Sequence, residues 1–306
     1  MGASAAPSSR PAPMTAAEQT RLSWARRLDR WEDAPAAYLP ALRAYADRGI
    51  GFQQIVLTPT MEGFLRRINQ RLVAWGSDCV VVLEGTRDRV GETAFAFPQV
   101  HYVEFAAILL RAWVTLRGRT LDGRDATTSF EFNAVSDGLF APLIAGVRGA
   151  PAGDGDVAFE MAKLDYLMGP SFKLMNFGRR CLRPGDRIVG TYFQPEIREP
   201  VFQALARSPT RRVTAAYLLL VTADEVILIR DLGEPERMHR IGYGGSWTYV
   251  PRRRGAEMSI APRPDGRELL SIPLPTGNPL ECVLEPHRST QMEALVGLVA
   301  PARDVL

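Results

Sequence analysis

The amino-acid sequence predicts an α+β protein: an N-terminal helical hairpin, then two sheet modules, each closed by a C-terminal helix. Phe130 and Phe132 share one face of a strand, and eight residues after Phe132 come Phe140, Leu143, Ile144 and Val147. Cys282 and Leu284 likewise precede Met292, Leu295, Val296 and Val299. Steps of 0, 3, 4 and 7 are one stripe of a helix. A strand that hands over to an amphipathic helix therefore occurs twice, and a length of 306 residues suits two domains.

Residues 1–15 are mostly Ala, Pro and Ser and read as a disordered tail, without the apolar segment of a secretory signal. The helical hairpin is expected at 16–50. Leu22, Ala25, Leu28 and Trp31 lie on one stripe, and Pro35 opens a second helix that Gly49 stops. The first module spans 51–149, with strands at 53–60, 72–75, 80–84, 93–97 and 127–132 and a turn at Gly76-Ser77-Asp78. Between 101 and 116 the apolar residues fit one helix or two strands; Trp113-Val114-Thr115-Leu116 favours strand there. Ser136 or Asp137 is expected to cap the closing helix. The segment 150–183 reads as a Gly-rich linker and a helical connector in two pieces, split at Gly169-Pro170. The second module, 184–303, has strands at 187–193, 215–222, 226–230, 247–250, 258–261, 268–272 and 280–284. Ala223-Asp224-Glu225 turns the hairpin between its two most apolar strands.

A net charge of +3 is a mild excess, and Lys163 and Lys173 are the only lysines. Arginine suits bidentate contact with carboxylate or phosphate, but a GC-rich codon preference explains the bias more simply. Cys79, Cys181 and Cys282 are scattered and odd in number, which fits a reducing cytosol rather than disulfides. His101, His239 and His287 have no metal-ligand spacing; Cys282 with His287 is the nearest approach, and a core cysteine is the better reading of Cys282. Neither metal nor cofactor is expected. There is no G-x-S-x-G elbow and no phosphate loop; Gly242-Tyr243-Gly244-Gly245-Ser246 matches no phosphate-loop spacing and reads as a turn. Asp154 and Asp156 lack the further oxygen ligands of a calcium loop. No apolar run reaches the roughly 18–20 residues of a membrane span.

The hairpin Tyr217-Leu218-Leu219-Leu220-Val221-Thr222-Ala223-Asp224-Glu225-Val226-Ile227-Leu228-Ile229 resembles that of bacterial pleckstrin-homology-like (PH-like) and GRAM-type domains. Ser129-Phe130-Glu131-Phe132-Asn133 and Asp137-Gly138-Leu139-Phe140 are similar to the exit of such a domain into its helix. The resemblance implies two tandem PH-like barrels, as in uncharacterised bacterial proteins of two-module type. It also implies binding or scaffolding at membranes or in protein contacts, and supplies no catalytic residue.

One basic cluster stands out: Arg252, Arg253 and Arg254 after Pro251, with Arg263 and Arg267 in the next turn. Together they are a candidate anion- or partner-binding rim, set against the plainer reading of a solvated hairpin tip. The expected function is therefore non-catalytic binding or scaffolding in the cytoplasm, with a protein or the anionic inner face of the membrane as partner. The alternatives are an enzyme whose site forms between the modules and, more weakly, a nucleic-acid binder that uses the Arg-rich loops.

Overall fold

The computed structural model describes residues 24–62, 67–85, 89–151, 153–200, 210–233, 244–252, 258–285 and 289–299. Strand β1 (Arg26–Leu28) leads through a 3-10 turn (Trp31–Asp33) to helix α1 (Leu39–Asp47). Strands β2 (Gln54–Leu57), β3 (Met61–Glu62), β4 (Arg67–Ile68), β5 (Arg71–Trp75), β6 (Cys79–Gly85) and β7 (Val90–Ala96) follow. They form an antiparallel sheet of order β1-β2-β5-β6-β7, with β3 and β4 as a separate short pair. Residues 24–33 are thus strand and turn where a helical hairpin was expected, and a single helix follows. The reason is burial on both faces. Ala25 packs into one core and Leu28 into another, on opposite sides of β1, so their spacing of three mimics a helical stripe. Gly49, at φ 78, ends α1 as expected.

Strands β8 (Val100–Ile108), β9 (Arg111–Arg119) and β10 (Asp125–Asn133) form a meander and settle the phase of residues 101–116 as strands. Helix α2 (Ala141–Arg148) follows a 3-10 segment that the Asn133 side chain caps; neither Ser136 nor Asp137 is the cap. The connector holds α3 (Val157–Ala162), a 3-10 turn (Asp165–Leu167) and α4 (Phe172–Cys181), interrupted around Gly169-Pro170 as expected. Then come β11 (Ile188–Gln194), the hairpin β12 (Ile197–Pro200) and β13 (Thr210–Thr214), and β14 (Tyr217–Thr222), β15 (Glu225–Asp231) and β16 (Gly244–Pro251). Strands β17 (Ser259–Pro262), β18 (Glu268–Ile272) and β19 (Leu280–Leu284) precede α5 (Ser289–Val299). In chain order the run β2, β5–β7, β8–β10, α2 is followed by β11, β14–β16, β17–β19, α5.

The fold class differs from the expectation. The chain is mostly β, built from several antiparallel sheets, and no sheet closes into a barrel among the described residues. A seven-stranded sheet of order β10-β9-β8-β16-β15-β14-β11 runs through the middle instead. Strand β16 pairs with β8 from Gly244↔Ile108 to Tyr249↔Val103, so an edge from each half is covered by the other half. An edge strand is a row of unpaired backbone groups, and pairing across the halves satisfies it without closure.

One face of this sheet presents Val103, Val114, Phe132, Leu218, Ile227 and Trp247 to α2, α4 and the five-stranded sheet. The opposite face at the β16–β15–β14–β11 end packs Leu219, Leu228 and Tyr192 on the three-stranded sheet β17-β18-β19 and on Met292 and Leu295 of α5. A third core lies under α1, where Leu42 and Tyr45 meet Leu72, Val81 and Leu83.

Candidate docking surface

The predicted basic rim divides between two hairpins. Arg252 directly follows β16, half-buried, and its Nη1 donates to the carbonyls of Thr222 at 3.0 Å and Ala223 at 3.3 Å, clasping the β14–β15 turn. Arg263 and Arg267 flank the β17–β18 turn and converge on Asp265, at 3.4 and 3.2 Å. Arg267 also pairs with Glu199 of β12. The described members of the cluster thus have local partners, which sequence spacing alone did not reveal. Arg253 and Arg254 lie outside the described residues, as do His239 and His287. His101 is buried, its Nδ1 3.2 Å from Thr276 Oγ1.

Where the two halves meet, the interior holds a network of four charges. Arg148 Nη2 lies 2.5 Å from Glu225 Oε1, and its Nε donates to both Glu225 oxygens at 3.1 and 3.2 Å. The same Nη2 donates to the Cys181 carbonyl at 2.9 Å, and the guanidinium stands 4.1 Å from the centroid of the Tyr249 ring. Arg183 spans Asp186, at 3.0 Å, and Glu225, at 3.2 Å. Arg148 ends α2, where the helix dipole favours a cation. Two guanidiniums and two carboxylates cancel, as buried charge requires. A cleft of about 330 Å³ adjoins the network and is lined by Phe97, Gly146, Arg148, Asp224 and Pro251. Its guanidinium is engaged inside, so this arrangement ties α2 to the start of β15.

The cysteines are core groups. All three are buried and unbridged. Burial pushes the Cys181 thiol up to about 12, and burial with the Asp78 charge pushes Cys79 up to about 11. Such thiols are poor nucleophiles. Among the described residues, no group of three His, Cys, Asp or Glu side chains could hold a metal ion. No helix among them is long and apolar enough to cross a membrane.

The connector presents a different kind of surface. Its inner side is core: Leu164, Leu167, Leu174 and Met175 are buried against the central sheet. Asp156 caps α3 and Ser171 caps α4, each side chain accepting a backbone N–H of the first turn. Glu160, buried, accepts Ile188 N–H at 2.6 Å, and Lys163 bridges Glu160 and the Ile188 carbonyl, so α3 is bolted to β11. The outer side is apolar as well. Phe159 is 65% exposed, and Tyr166, Met168 and Phe172 also stand in solvent. Tyr166 Oη lies 3.0 Å from Thr191 Oγ1 of β11. Lys163 lies over the Phe159 ring, and Asp165 pairs with Arg179 at the margin. The connector thus exposes a row of aromatic and methionine side chains in sequence, with charged groups beside them, on a segment hydrogen-bonded to β11.

Compared with known proteins, the chain matches no family model, no curated protein and no solved structure.

Proposed function

We propose that this is a non-catalytic binding or scaffolding protein of the cytoplasm that docks a partner protein on the connector strip. The observation that carries the reading is the exposure of Phe159, Tyr166, Met168 and Phe172 on one short segment whose opposite side is core. Contiguous exposed apolar surface marks interaction sites. Aromatic residues and Met are enriched in the cores of protein interfaces, and lysine is depleted there. Fully burying an exposed side chain of this kind contributes about 1.5–3 kcal/mol; these four are already partly buried, so the strip anchors a partner and the rest of the interface must offset the cost of association. The likeness of the β14–β15 hairpin to PH-like and GRAM-type domains, which bind or scaffold, supports the same reading.

The test compares the parent with a Phe159→Ser/Tyr166→Ser/Met168→Ser variant as immobilised bait in cytosol of the native host. Thermal melting of the two should agree, because these side chains hold no core. A partner retained stoichiometrically by the parent should be lost by the variant. If the variant melts like the parent and retains every partner, the strip is not the docking surface.

A further inference from the structure

The β8–β9 turn breaks two local rules at once. It is a two-residue hairpin loop, Leu109-Leu110, between the paired residues Ile108 and Arg111. Such loops need left-handed backbone, which Asn and Gly adopt with little strain. Leu109 nevertheless stands at φ 53, the one non-glycine residue at positive φ among those described. The strain secures no burial: Leu109 is 60% exposed and Leu110 66%. Val135, 61% exposed, stands beside them, because the Ala134 N–H donates to the Leu110 carbonyl at 2.8 Å. Strain combined with exposed aliphatic surface has no return within the isolated fold, and such outliers point to function.

The surface behind the tip indicates what it meets. At the β10–β9–β8 end, the face turned away from the main core carries Ile108, Arg111, Trp113, Thr115, Ser129 and Glu131, which line a groove of about 380 Å³. The opposite end of the same face is covered by the three-stranded sheet and α5. The groove is amphipathic. Ile108 and the half-buried Trp113 supply apolar wall, and Arg111 Nη2 pairs with Glu131 at 2.5 Å while lying over the Trp113 ring. An exposed aliphatic tip therefore adjoins a groove on the same β8–β9–β10 meander. Arg111 and Glu131 cancel, so two such faces meet without repulsion and can exchange ion-pair partners. An anionic bilayer would find no net positive charge to attract it there.

We propose that this face is a two-fold interface between copies of the chain, with the Leu109-Leu110 tip of each seated in the groove of the other. A contact of this kind is self-complementary, each residue meeting its counterpart's neighbour across the axis. Leu109, Leu110 and Trp113 are its anchors, and the Arg111–Glu131 pairs are its rim.

Sedimentation velocity of the full chain across the micromolar range tests this without reference to the connector strip. The parent should dimerise. Leu110→Asp should raise the dimer dissociation constant by roughly thirtyfold or more, the scale of an interface hot spot. Ser129→Phe, which fills the groove, should do the same. Leu109→Asn is the decisive variant: it relieves the backbone strain, so the monomer should melt higher while association weakens. A parent that stays monomeric overturns the proposal, as does dimerisation that survives all three substitutions. A monomeric parent that floats with lipid vesicles, and loses this in Leu110→Asp, would assign the tip to a lipid surface instead.

Discussion

Glu225→Gln removes one charge from the network that joins the halves while nearly preserving shape. Glu225 and Arg148 are almost entirely buried, with side-chain exposures of 1% and 7%. After the substitution Arg148 keeps the Cys181 carbonyl, the Tyr249 ring and Asp186, whose Oδ2 is 3.7 Å away. Breaking a buried pair by removing one partner costs about 3–5 kcal/mol. The remaining contacts place the loss near the lower end, about 3 kcal/mol. For a large domain each kcal/mol lowers Tm by about 2–4 °C, so a fall of roughly 6–12 °C is expected. Urea unfolding followed by tryptophan fluorescence should show the same loss as a lower midpoint. The double variant Arg148→Met/Glu225→Leu leaves Arg183 paired with Asp186 and should recover more than half of the loss, since apolar replacements of buried pairs are often neutral. If Glu225→Gln unfolds within about 0.5 kcal/mol of the parent, the scale of an ordinary surface substitution, the network is not the tie between the halves.

The thiols should be inert in the native protein. With Cys79 near 11 and Cys181 near 12, labelling by a disulfide reagent at pH 8 should be slow and should become fast only in denaturant. Their raised values also set a sign for stability. The unfolded thiols ionise from about 9 while the folded ones stay neutral, so stability should fall as pH rises from about 9 towards 12, read by urea midpoints. Leu143→Asp and Leu295→Asp place a charge against the central sheet from α2 and α5, where both leucines are buried. Each should cost several kcal/mol and yield insoluble or unfolded protein; melting like the parent would show that these helices do not close the cores.

What was legible in the sequence was local. Gly76-Ser77-Asp78 and Ala223-Asp224-Glu225 turn the hairpins β5–β6 and β14–β15, and the stripes from Phe140 and Met292 bury Leu143 and Leu295. What failed depended on distant chain. The β8–β16 pairing brings Ile108 to Gly244 and joins strands of both halves in the seven-stranded sheet, yet neither residue carries a mark of its partner. The N-terminal helix was misread because Ala25 and Leu28 are buried on both faces of a strand, which erases the alternation of two. In the arginine cluster, the Glu199 carboxylate that pairs with Arg267 comes from β12, a strand the turn signals did not show. The connector strip did leave a trace. Its apolar residues, Phe159, Leu164, Tyr166, Leu167, Met168, Phe172 and Leu174, exceed what a single buried stripe requires, and the surplus is the exposed side.

Site-specific photo-crosslinking tests the docking claim most directly. A photoreactive phenylalanine analogue replaces Tyr166 or Met168 on the strip and, as a control, exposed Arg211 on the β12–β13 hairpin, in the full chain within its native host. The account predicts one discrete adduct with a second protein at positions 166 and 168 and none at 211. Adducts of equal yield at all three positions, or none on the strip, would contradict it.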